Sequence, residues 1–110
     1  MQNLEQKRAA HALKWAPQID GGVGKGDPKG VVKKIPSLVI TCGILSSMAF
    51  AKEKGAGYAD VFKAFIDYNT PLNGLSLDQA LTSMCEMDAQ ELRHTTAEFM
   101  AYLSYLRRFV

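Results

Sequence analysis

The sequence predicts an all-α fold: a single domain over residues 1–110, built as a small bundle of about five helices, with a flexible glycine-rich loop near residues 19–30. Three observations point there. No stretch alternates apolar and polar residues with a period of two over the length of a strand. Apolar residues recur instead at i, i+3, i+4 and i+7, the repeat that gathers them on one face of a helix. Glycine, proline, serine and aspartate interrupt the periodic segments where helices stop and start. At 47% hydrophobic the chain can bury one core, and aromatics at 9% with five methionines predict a mainly aliphatic one.

The first helix is read from about Asn3 to Ala16, a stretch rich in Ala, Leu, Lys, Glu and Gln, and is ended by Pro17. Next comes "GGVGKGDPKG", residues 21–30, where glycines crowd around Lys25 as they do in phosphate-cradling loops. The spacing does not match. A P-loop needs G-x-x-x-x-G-K-[ST], but Gly26 replaces the hydroxyl residue and Ile19 stands where the leading glycine belongs. A P-loop also joins a strand to a helix, whereas a helix precedes this one. The stretch reads as an inter-helix connection. A nucleotide-binding enzyme built on Lys25 is the weakest of the functional readings.

The second helix is read from Val31 to Lys54, stopped by Gly55, with Pro36 kinking it or setting its first turn. A third, "YADVFKAFIDYN", sets Val61, Phe62, Phe65 and Ile66 on one face. It ends before Pro71, in the turn chemistry of "NTPLNG". Ser76 with Gln79 three residues on forms a capping-box pattern for the fourth helix, and Asp88 with Glu91 repeats it for the fifth. In that last helix Leu92, Thr96, Phe99, Leu103, Leu106 and Val110 make one apolar stripe. Tyr102, Tyr105 and Phe109 widen it on one flank, more than a single packing partner needs, so these three are expected at a protein interface. The alternative is that the tyrosine hydroxyls reach water from the edge of the core.

Seventeen residues from Ile35 to Ala51 carry no charge, the lower limit for crossing a bilayer. Pro36, Ser37, Thr41, Ser46 and Ser47 interrupt the run and lysines flank it on both sides, so it reads as a central helix buried on every side, not as a membrane segment. "MQNLEQKR" lacks the apolar core of a signal peptide, which makes the cytoplasm with reduced thiols the expectation. Cys42, in the apolar run, is expected in the core, and Cys85 stands far from it without metal-ligand spacing. His11 and His94 are isolated in sequence, so no metal or cofactor is expected. The acidic residues lie mostly at helix starts or beside lysines, and Ser46 and Ser47 have no histidine nearby, so no catalytic group is assigned.

Charge is uneven. Residues 1–34 carry seven Lys/Arg against three Asp/Glu, a net of +4, while residues 35–110 carry six against eight, a net of −2. Such asymmetry is equally consistent with a polyanion contact on the N-terminal side and with a solvated basic face.

Three segments carry a resemblance. "KKIPSLVITCGILSSMAFAKEKG" resembles the central motif of the small helical subunit of type III-B CRISPR effector complexes, the fifth member of the Cmr (RAMP-module) set. The matching features are Pro36 after a basic pair, Gly43-Ile44-Leu45 in mid-helix, and Ala49-Phe50 at its end. Cys42 departs from the pattern, standing where that family tends to carry a polar residue. "LEQKRAAHA", with Arg8-Ala9 as its centre, resembles the family's N-terminal basic helix. "TTAEFMAYLSYLRRFV" resembles its C-terminal signature through Thr96, Glu98, Tyr102-Leu103 and Leu106-Arg107-Arg108-Phe109.

The resemblance implies a non-catalytic role in antiviral defence. Copies of the subunit would stack beside the crRNA-binding backbone and line the channel holding the guide–target RNA duplex, with cleavage left to other subunits. Its partners would be the backbone and large subunits, copies of itself, crRNA and target RNA. Lysine and arginine would contact phosphates without sequence preference. The expected RNA-facing set is Lys7, Arg8, Lys14, Lys33 and Lys34, with Arg107 and Arg108 as second choices. Each also fits a helix-end, surface or inter-subunit ion-pair role. The competing reading is a helical structural adaptor that binds only protein.

Overall fold

The computed structural model describes residues 3–19 and 28–110, leaving the Lys25 loop outside the described residues. Among these there are six α-helices and no strand. In chain order they are α1 (Leu4–Trp15), α2 (Pro28–Cys42), α3 (Ile44–Lys54), α4 (Ala56–Tyr68), α5 (Leu77–Cys85) and α6 (Ala89–Phe109), with a 3-10 turn at Ala16–Gln18.

Local chemistry explains the boundaries. Ser76 Oγ accepts from the Gln79 N–H at 3.1 Å while Gln79 Oε1 accepts from the Ser76 N–H at 2.9 Å, so α5 opens on the expected reciprocal cap. Asn3 and Gln6 make the same exchange at the start of α1, at 2.8 and 2.9 Å. At α6 only one half of the expected box forms: Asp88 Oδ1 accepts from the Glu91 N–H at 2.8 Å. That bond holds the Asp88 carboxyl below its usual range, while hydrogen bonding to Asp88 pushes the Glu91 carboxyl up. The "NTPLNG" turn closes through bonds from Leu72 N–H to Asn69 O and from Leu75 N–H to Leu72 O, with Gly74 at φ 86°.

The expected single helix over 31–54 is two helices. Gly43 adopts φ 84°, ψ 163°, which side chains rarely tolerate, and the chain turns there between α2 and α3. The apolar run continues through the break, so periodicity alone does not mark it. Pro36 lies in the middle of α2 and not in its first turn. Nor is the run buried on every side: Ile40 is 77% exposed, Thr41 and Cys42 beside it are exposed, and Phe50 is 40% exposed. Turning the chain at Gly43 lets Ile35, Val39, Ile44 and Met48 reach the core and leaves the outer side of the corner in water. Cys42 sits on that outer side, so it is not the core residue expected. Ser46 is exposed, and buried Ser47 donates to the Gly43 carbonyl at 2.8 Å.

The core centres on α4 and α6. Phe62 stacks on Phe99 with ring centroids 4.7 Å apart, and Phe65 meets Phe99 edge-on at 5.0 Å. Leu103, Leu106, Leu72, Met48 and Met84 close around them. The centre is thus aromatic, where composition predicted an aliphatic one. All the aromatic side chains named here fall on the inward faces of two helices, a placement that a whole-chain percentage does not register. α1 lies across α6 and α4, while α2 packs on α3, α4 and α6. Among the described residues no helix is long and apolar enough to cross a membrane.

Candidate nucleic-acid interface

The seven basic side chains expected to face RNA are not equivalent in the folded chain. Arg8 is engaged internally. Its Nη2 reaches Glu98 Oε1 at 2.6 Å, with both side chains only 18% exposed. Burial works against the Arg8 charge, but the hydrogen bond and charge of Glu98, with Tyr68 adding to both, outweigh it and raise the guanidinium pKa. Its cation is already balanced by a carboxylate.

Lys7 and Lys14 are exposed on α1, two turns apart and so on one side of that helix. Arg107 and Arg108 are exposed in the last turn of α6, where they also complement the helix dipole. Lys33 and Lys34 are exposed on α2 and line one concave site together. That site is an open groove of about 710 Å³ along α2. Ser37 and Leu38 continue its α2 wall one turn on, and Phe50 of α3 and Tyr58 of α4 line it as well. Phe50 and Tyr58 meet edge to face with centroids 5.4 Å apart and planes at 86°. Among the described residues neither lysine has an ion-pair or hydrogen-bond partner.

The residues expected at a protein interface divide in the same way. Tyr102 is fully buried within the chain and cannot offer surface to another one as it stands. α1 covers the flank of α6 that a helical wheel leaves open. The Tyr102 hydroxyl lies 2.7 Å from His11 Nδ1, and His11 Nε2 lies 2.8 Å from Asp67 Oδ2. With Nε2–H donating to Asp67, Nδ1 accepts a hydrogen bond from the Tyr102 hydroxyl. Trp15 Nε1 donates to the same Asp67 oxygen at 3.1 Å, and Tyr68 stacks on Tyr102 at 4.8 Å. Burial, then the nearby Asp67 and Tyr68, push the Tyr102 phenol well up. Tyr105 is half-buried beside Glu5, and its phenol is raised by burial and by that carboxylate. Phe109, at 39% exposed, is the most exposed of the three.

Sequence reasoning missed this cluster because its members are far apart in the chain; His11 and Asp67 are separated by 56 residues. The available signal was modest: His11 and Trp15 are four apart on one helix, and their rings stack at 5.9 Å.

A family model described as CRISPR-associated protein (Cas_Cmr5) matches residues 4–110. The chain belongs to the Cas_Cmr5 family. That family is the small subunit of the type III-B CRISPR complex, so membership implies association with other subunits of the Cmr complex. The match takes in α1 with Arg8, the α2–α3 corner and the whole of α6, the three segments on which the resemblance rested. No curated protein and no solved structure matches the chain at a significant level.

Proposed function

We propose that this Cas_Cmr5 chain is a non-catalytic assembly subunit that stacks with copies of itself beside the crRNA-binding backbone and contacts the guide–target RNA through lysine and arginine. The observation that carries the RNA contact is the state of Lys33 and Lys34. They are two adjacent cations, exposed, without a counter-charge among the described residues, in a groove whose described lining holds no acidic residue. Such a pair favours phosphate, and the contact is indifferent to base sequence because the phosphates carry none. Lys7, Lys14, Arg107 and Arg108 would add to it, whereas Arg8 would spend its charge on Glu98. Repetition along a stack would supply, through several copies, the affinity that one modestly charged chain lacks.

The test is target-RNA binding by the assembled complex as a function of salt, with Lys33→Ala and Lys34→Ala made together. Removing two phosphate contacts per copy should weaken binding and reduce the slope of log K against log salt by about 1.5 for each copy engaged. An unchanged slope would overturn the assignment and favour a helical adaptor that touches only protein, for which exposed Ile40 and Phe109 would then be the first surface to examine.

A further inference from the structure

We propose that the groove between α2 and the α3–α4 corner holds an unpaired RNA nucleotide, its base against Phe50 and its phosphates on Lys33 and Lys34. This rests on the RNA-contact reading and sharpens it from any phosphate to a single-stranded one. Three features of the groove carry it.

The first is the ring. Phe50 keeps 40% of its surface in water although it sits at the end of an apolar run, and Tyr58 meets it at 86°. That contact fixes the ring without covering it, which is the condition for a stacking platform. The second is the charge. Lys33 and Lys34 line the same groove, and no acidic side chain is among its described lining residues. A neutral apolar segment lying there would strip water from two ammonium groups and return nothing, whereas a nucleotide brings its own anion. The third is the polar trim. Ser37 and Thr41 follow Lys33 at successive helical turns on the same wall, and neither hydroxyl has a hydrogen-bond partner among the described residues. They supply donors and acceptors for a base edge or a ribose hydroxyl. The groove's size, about 710 Å³, falls in the range of sites that take small organic ligands.

Paired RNA does not meet these conditions. In a duplex the faces of each base are covered by its neighbours, so a helix would offer the groove phosphates but no face for Phe50. The groove therefore discriminates between single and double strands, which the lysines alone do not.

The experiment measures fluorescence anisotropy of a fluorescein-labelled 12-nucleotide oligouridylate and of a fully paired RNA duplex of equal length, with the full chain at two salt concentrations. Phe50→Leu keeps an apolar side chain and removes the ring. It should weaken single-strand binding about tenfold, leave duplex binding within twofold and leave the salt slope unchanged. Phe50→Trp should restore or strengthen single-strand binding. Lys33→Ala with Lys34→Ala should weaken both RNAs and lower the slope. Equal response of both RNAs to Phe50→Leu, or no response, with sensitivity to the lysines retained, sinks the stacking inference while leaving phosphate contact intact. Absence of binding to either RNA by the wild-type chain sinks the stacking inference, while the phosphate reading, which draws its affinity from several stacked copies, is decided by the salt titration of the assembled complex. If Phe50→Leu leaves RNA binding alone but prevents the chain from joining the reconstituted complex, the occupant is a protein segment and the inference is wrong.

Discussion

The face where α1 crosses α4 and α6 and the face where α2 meets α3 draw on the same residue types. Each has basic side chains, a tyrosine and apolar surface at its edge. On the α1 face the inward polar groups find partners within the chain, Arg8 Nη2 with Glu98, the Tyr102 hydroxyl with His11 and His11 with Asp67, while Lys7, Lys14 and Leu13 stay exposed on the outer side. On the α2–α3 face Lys33 and Lys34 have no partner among the described residues, Ile40 projects into water and Phe50 remains 40% exposed. A basic residue therefore says nothing about function until its counter-charge is located. Arg8 and Lys33 read alike in sequence, yet one is paired with Glu98 and the other has no partner among the described residues.

The sharpest way to break this contrast is to truncate a side chain from each face. Tyr102→Ala should cost about 3–5 kcal/mol in urea unfolding, because it empties a fully buried aromatic site. Ile40→Ala should stay within about 0.5 kcal/mol, its side chain being 77% exposed. Comparable losses at the two positions would mean that the open face is covered by the chain itself. Next in size, Gly43→Ala should cost about 1–3 kcal/mol, since a Cβ at φ 84° is strained although no neighbour lies within 4 Å of it. An unchanged melt would show that the α2–α3 turn does not need this backbone conformation.

Arg8→Ala should cost about 2 kcal/mol, mainly by leaving Glu98 partly buried without its partner. A double-mutant cycle with Glu98→Ala should return a coupling of about 1 kcal/mol, and additive losses would deny the ion pair its role. Last comes Tyr102→Phe, at about 1 kcal/mol near neutrality for the lost hydroxyl contact to His11. It also has a pH signature. The folded phenol is raised, so it keeps its proton where an unfolded tyrosine, near pH 10, loses it. Its contribution is complete below about pH 10 and declines as pH rises beyond that. Thermal melts from pH 8 to 11 should therefore fall more steeply for the wild type than for Tyr102→Phe, and parallel curves would count against the buried phenol.

What the sequence disclosed follows from how local each determinant is. The α5 cap depends on two residues three apart, and the α6 stripe on one helix, so both could be read directly. The Gly43 turn was hidden because apolar residues on either side sustain the same pattern through it. The α1 cluster needs α1, α4 and α6 brought together, which no single-helix pattern encodes; for the same reason Tyr102 looked like surplus surface before α1 was in place. The groove was half legible: the adjacent lysines and the phenylalanine stand within one motif, but Tyr58 joins them from the next helix, after the turn at Gly55.

The pairing of Arg8 with Glu98 also alters how the chain looks electrically from afar. Opposite charges 2.6 Å apart leave only a short-range dipole, which fades well inside the Debye length of about 8 Å at physiological ionic strength. The excess of +4 over residues 1–34 is a formal sum that includes Arg8, so the field reaching an approaching polyanion is weaker than that sum implies and is shaped by whichever cations lack such a neighbour.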